Sequence, residues 1–150
     1  MEQHLFDEVA DVVRSLVPPD HADFEVRSRR WALKLWYGTG EVTRAHYEAQ
    51  VMSAELVEDA SVLAIEVGWH VEHPTEANNQ ALLDRVLASE RVWRPTLGDE
   101  AVAGPFLGRA SWRRLSEVWP DPDLSDPDVG FEIGSRLTDY ITAVEAALRA

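Results

Sequence analysis

Leu5, Val9, Val12, Val13 and Leu16 recur at helical spacing with acidic residues between them, the stripe of an amphipathic helix that docks on something else. Pro18-Pro19 ends it, because proline lacks the N–H a helix needs and clashes with the preceding turn; the predicted helix covers residues 2–17. From Phe24 the period changes to two. Trp31, Leu33, Leu35 and Tyr37 alternate with Arg30, Ala32, Lys34 and Trp36, whereas Phe24 and Val26 have the opposite parity. The pattern predicts a strand over 24–37 with a bulge or bend near Ser28-Arg29. Gly38-Thr39-Gly40 reads as a turn. A second strand, 43–54, carries Ala45, Tyr47, Ala49 and Val51 on one face and His46, Glu48 and Gln50 on the other. After a turn at Glu55 to Asp59, a third strand, 61–72, turns Leu63, Ile65, Val67, Trp69 and Val71 inward and Glu66, Gly68, His70 and Glu72 outward. Three such strands in a row predict an antiparallel meander with one apolar face.

Pro74-Thr75 begins a helix with Thr75 as its cap and Leu82, Leu83, Val86 and Leu87 as its stripe, ended by Trp93-Arg94-Pro95. Thr96 to Gly108 reads as a short helical turn and then a strand at Pro105 to Leu107, and Trp112 to Trp119 as a further strand. Asp126 caps the last helix, with Pro127 at its first position. Its stripe is Ile133, Leu137, Tyr140, Ile141, Val144 and Leu148. The expected fold is therefore α+β: a single domain over 1–150, in the order α-β-β-β-α-β(-β)-α, with helices on one face of an antiparallel sheet of four to five strands. Leu33, Leu35, Val51, Leu63, Ile65, Trp69, Leu83, Leu137 and Ile141 are its expected core, joined by Trp31. The opposite sheet face is left polar.

Charge narrows the partners. Twenty-seven acidic against 14 basic residues give a net charge of −13. Such a chain repels a phosphate backbone and an anionic membrane, so neither broad nucleic-acid binding nor membrane association is expected. No cysteine is present, which removes disulfides, thiol nucleophiles and thiolate metal sites. Met1-Glu2-Gln3-His4 has no basic run followed by an apolar one, and a cytoplasmic location is expected.

Candidate chemistry gathers on the outward face of the second and third strands. Alternate residues share a face, so His46 and Glu48 on one strand and Glu66, His70 and Glu72 on the next lie side by side once the strands pair. His46, Glu48, Glu66 and His70 are the candidate metal ligands, for zinc or manganese (or iron), with His73 joining from the loop. The competing reading is a solvated sheet face, where water alone demands polar residues. His70-Val71-Glu72 opens like the zinc nucleobase-deaminase signature but lacks its paired cysteines. No phosphate-cradling loop, dinucleotide fingerprint, helical zinc motif or nucleophile elbow is present. Asp121, Asp123, Asp126 and Asp128 lack the glycine and closing glutamate of a calcium loop. Arg27, Arg29, Arg30 and Lys34 beside Trp31 and Trp36, and Arg109, Arg113 and Arg114 beside Trp112, fit single-stranded nucleic acid. They fit internal pairing with the many acids better.

Trp36 has outward parity and needs cover. With Arg30 and Lys34 beside it, and with Trp119, it is the candidate anchor of a protein interface, with a protein partner or a second copy of the chain. The order of elements resembles that of the type III secretion chaperone-like fold, which includes the YbjN-like proteins. The resemblance covers nearly the whole chain as an order of elements and implies a chaperone-like, protein-binding role, often as a dimer. The expected function is accordingly a non-enzymatic binding module, a chaperone-like adaptor or acidic neutraliser of a basic partner. A metal-dependent enzyme or metal binder, and a nucleic-acid-associated protein, are the alternatives.

Overall fold

The computed structural model describes residues 4–38 and 40–150. Helix α1 (Leu5–Leu16) buries Phe6, Val9, Ala10 and Val13, and Val17 leaves it in an extended conformation ahead of Pro18. Residues 1–3, where the predicted helix begins, and Thr39 of the predicted turn lie outside the described residues. Helix α1 packs on α4 (Val129–Arg149), whose stripe buries Ile133, Leu137, Tyr140, Ile141 and Val144. The approach is close at Gly134, where an added Cβ would lie 2.6 Å from Val12 Cγ1. Asp128, not Asp126, is the residue that precedes α4. The Asp126 carboxylate instead accepts the Asp128 N–H at 2.9 Å.

Six strands form one sheet in the order β1-β2-β3-β4-β6-β5, every neighbour antiparallel. They are β1 (Glu25–Ser28), β2 (Ala32–Trp36), β3 (Ala45–Ser53), β4 (Leu63–Val71), β5 (Val102–Phe106) and β6 (Arg109–Pro120). The fold is α+β with helices packed on one apolar sheet face, and the sheet has one strand more than the upper expectation. The extra strand comes from 24–37: the change of parity near Ser28-Arg29 is a hairpin rather than a bulge, pairing Arg27 with Lys34 and Ser28 with Leu33. A parity change alone is consistent with either, because both reverse which residues face the core. The helix predicted after Pro74 is also two, α2 (Glu76–Leu87) and α3 (Glu90–Leu97), and Pro95 sits inside α3. Thr75 precedes α2 without a side-chain cap bond.

Leu33, Leu35, Tyr47, Ala49, Val67, Trp69 and Leu115 meet the helices in one core cluster. Val51 is only partly buried against it. Trp31 corrects an expectation outright: it lies in the β1–β2 turn, 54% exposed, with the Arg30 guanidinium 4.8 Å from its ring centre. It had inward parity only on the premise of one continuous strand. No helix among the described residues is long and apolar enough to cross a membrane.

Candidate metal centre

The sheet face away from the helices is polar in sequence but buried in space. β3 and β4 pair His46 with His70 and Gln50 with Glu66, and β2 pairs Lys34 with Glu48. The four predicted ligands thereby land on two adjacent strands, β3 and β4, with Lys34 beside them on β2. What covers them is aromatic. The register shifts between Pro105 and Phe106, and such an irregularity re-aims a side chain. The Phe106 ring stands edge-on to His70, with centroids 4.9 Å apart, and Trp112 stands against Phe106 at 5.7 Å.

One glycine makes the cluster's geometry attainable. Glu66 and His70 are four residues apart on a strand, about 13 Å of extended chain, and still meet at 2.9 Å. The residue between them on that face is Gly68, which puts no side chain in the way. An added Cβ would lie 2.5 Å from Leu115 O and Ser116 Cα. The glycine therefore also lets β6 press against β4.

Four ligand atoms converge: His46 Nε2, Glu48 Oε1, His70 Nδ1 and Glu72 Oε2 lie within 4.8 Å of one another. Glu48 Oε1 is 2.9 Å from His46 and 3.2 Å from His70, and Glu72 Oε2 is 3.6 Å from both rings. Behind each histidine stands an oxygen that fixes its far nitrogen. His46 Nδ1 donates to the Thr43 carbonyl at 3.1 Å. His70 Nε2 donates to both oxygens of Glu66 at 2.9 Å. Glu66 is held in turn by the Gln50 amide at 2.8 Å and the Ser116 hydroxyl at 2.7 Å. With the far nitrogens protonated, neutral rings aim two lone pairs at two carboxylate oxygens. Four acceptors facing one another require positive charge between them. In the protein alone, protonation of His70 supplies it. Burial works against a charged His70, but Glu66 and the hydrogen bond to Glu48 hold it well above the ordinary histidine range. Burial likewise works against ionised Glu48, but its bonds from His46 and His70 hold it well below the carboxylate range.

A divalent cation meets the same demand. Ligand atoms about 2.0–2.2 Å from one ion at tetrahedral angles lie about 3.3–3.6 Å apart; the carboxylate-to-ring separations of 2.9, 3.2 and 3.6 Å are close to that spacing, and the widest pair, within 4.8 Å, closes by about 1 Å. Two imidazoles and two carboxylates suit zinc or manganese, and a second oxygen behind each ligating histidine is the usual support of such sites.

Three of the four predicted ligands thus converge, and the fourth changes role. Glu66 lies behind His70 on the ring's opposite nitrogen, and Glu72 stands in the ligand position. Glu72 had the right parity; which carboxylate faces which nitrogen depends on strand bending and rotamers that parity does not encode. His73 does not join: its backbone N–H and carbonyl are clamped by the Asn79 amide at 2.7 and 2.9 Å.

The predicted interface residues are scattered. Trp36 does face away from the helices, yet it is only 6% exposed. Lys34 belongs to the cluster, with Nζ 3.9 Å from Glu48 and 3.8 Å from Glu72. Arg30 is in the exposed β1–β2 turn, and Trp119 is partly buried on the helix side, donating to Glu117 at 2.8 Å. Of the arginines beside Trp112, Arg113 pairs with Glu76 at 2.6 Å and Arg114 with Ser116 at 2.8 Å, while Arg109 covers the Trp112 ring at 4.3 Å.

Fold and site together define an α+β protein with a six-stranded antiparallel sheet and a buried His/Glu cluster under an aromatic cover. No protein-family model matches the chain, and no curated protein or solved structure is significantly similar to it.

Proposed function

We propose that the protein binds one divalent metal ion, zinc or manganese, through His46, Glu48, His70 and Glu72. The observation that carries this reading is the pair of opposed hydrogen bonds. Each histidine spends its far nitrogen on an oxygen behind it and turns the near one on the same carboxylates. A solvated sheet face explains polar residues but not their burial, nor the support behind each ring. Lys34 and Glu72 are the most exposed of the charged groups that meet the two rings, their side chains 27% and 12% exposed, so the ion enters and meets any exogenous ligand on that side. The test is titration of chelator-treated protein with zinc and with manganese, followed by calorimetry and thermal unfolding. One equivalent binds, and at a hundredfold excess over Kd the folded state gains about 2.7 kcal/mol. His70→Ala abolishes both effects. A wild-type protein that binds neither ion leaves the cluster as a structural ion network.

Protein binding is a second reading, favoured by a different surface. Leu16 and Phe131 are exposed large apolar residues that line a groove of about 290 Å³ with Val12, Glu8 and Asp11. Apolar floor and acidic rim fit a basic amphipathic helix. Phe131→Ser removes that binding while leaving zinc affinity unchanged; equal binding by the variant refutes this surface.

A further inference from the structure

β1 is an edge of the sheet, and the charges along it change sign at its middle. Asp23, Glu25, Arg27 and Arg29 alternate with Phe24, Val26 and Ser28; the four charged residues are exposed and the three between them half-buried. Alternate residues of an extended segment share a side, so two acids and then two bases line one side of this edge, symmetric about Val26. We propose that the protein forms a two-fold homodimer by pairing β1 antiparallel with β1 of a second copy, centred on Val26. The proposal stands apart from the metal reading.

The backbone is open to such pairing. β1 is bonded on one side only, to β2. The Arg29 N–H donates to the Ala32 carbonyl at 2.7 Å, in the register that continues the β1–β2 ladder. Bonded and non-bonded pairs alternate along an antiparallel ladder, so Val26 and Ser28, opposite Leu35 and Leu33, aim their N–H and C=O groups outward. Among the described residues no backbone group meets them there. Open edges are commonly blunted by lysine, proline or a bulge, and β1 has none of these. Charges of one sign along it would repel a copy. Because they reverse, pairing centred on Val26 sets Glu25 of each copy against Arg27 of the other, and Asp23 against Arg29. Two-fold symmetry makes each contact twice, and Val26 exchanges both its backbone bonds with its counterpart. Moving the centre to Glu25 or Arg27 sets like charges directly opposite, which is destabilising. None of the four charged residues has an ion pair within its own chain among the described residues; Glu41 shares a groove with Arg27 without one. The second copy supplies what each lacks.

The experiment follows full-length wild type and two paired variants by sedimentation over a concentration series, with circular dichroism as a check on fold. Asp23→Arg with Glu25→Arg makes the edge wholly basic, and Arg27→Glu with Arg29→Glu makes it wholly acidic. All four sites are exposed, so the fold tolerates both. Wild type self-associates to a dimer. Each variant alone does so at least about tenfold more weakly, because every contact then sets like charges opposite. Mixed one to one, the two variants form a heterodimer, since the basic edge of one matches the acidic edge of the other. The chain has no cysteine, so a single introduced one reports which edge pairs. Val26→Cys gives a covalent dimer on air oxidation, the Cα atoms of a bonded pair lying about 5.5 Å apart. Val102→Cys, on the opposite edge strand β5, does not. The proposal is overturned by a wild type that stays monomeric at the limit of its solubility, by variants that dimerise as well as wild type, by a mixture without heterodimer, or by cross-linking through Val102 in place of Val26.

Discussion

Replacing Glu66 by glutamine tests whether the cluster is a metal centre or a buried ion network. Glu66 is fully buried and accepts hydrogen bonds from His70, Gln50 and Ser116. Glutamine keeps its shape and one acceptor oxygen for His70. Its amide can donate to a flipped Gln50 carboxamide or to the Ser116 oxygen, so no large cavity or unpaired group follows. What is lost is the negative charge behind His70, which makes the near nitrogen a stronger ligand and fixes its tautomer. Outer partners of this kind are worth about 10–100-fold in metal affinity, or about 1.4–2.8 kcal/mol. The assay is competition for zinc against a chromophoric chelator, with circular dichroism as a check on fold. A zinc Kd unchanged within about twofold would refute the argument that Glu66 supports a ligand. So would a Gln50→Ala variant, which loosens Glu66 without touching His70, that weakens zinc more than Glu66→Gln does.

Gly68→Ala forces a Cβ to within 2.5 Å of the Leu115 and Ser116 backbone. Backbone cannot swing aside, so the substitution costs about 1–3 kcal/mol, lowers Tm by several degrees and weakens zinc binding; Gly104→Ala, which meets open space, changes neither and serves as the control in the same melting experiment. Asp121 stands at the end of β6 in the left-handed region (φ 49°) and accepts the N–H groups of Val62, Ser61 and Leu63, bonds that hold its carboxyl below the usual range. A depressed folded value stabilises above the unfolded value near pH 3.9 and is lost as pH falls through the depressed one. Asp121→Asn, whose side chain tolerates the same backbone, therefore lowers stability near neutrality and flattens the acid limb of a stability–pH profile; an acid limb as steep as that of wild type contradicts this.

Alternation and periodicity were enough for the class of fold, because burial on one face imposes period two on strands and 3.6 on helices. Parity also brought His46, Glu48, Glu66 and His70 to one sheet face before any register was known, since alternate residues cannot avoid sharing a side. Three things lay beyond it. The split of 24–37 into a hairpin was hidden because a hairpin and a bulge shift parity alike, and this misplaced Trp31. The exchange of Glu66 for Glu72 rests on which rotamers bring which carboxylate to which ring nitrogen, and the space at Gly68 rests on a close approach to β6 that no local pattern in β4 announces. Burial of the polar face was illegible for the same reason: alternating polar residues signal water, and only the bulged β5–β6 hairpin, by laying Phe106 over His70, turns a wettable face into a dry, charged interior.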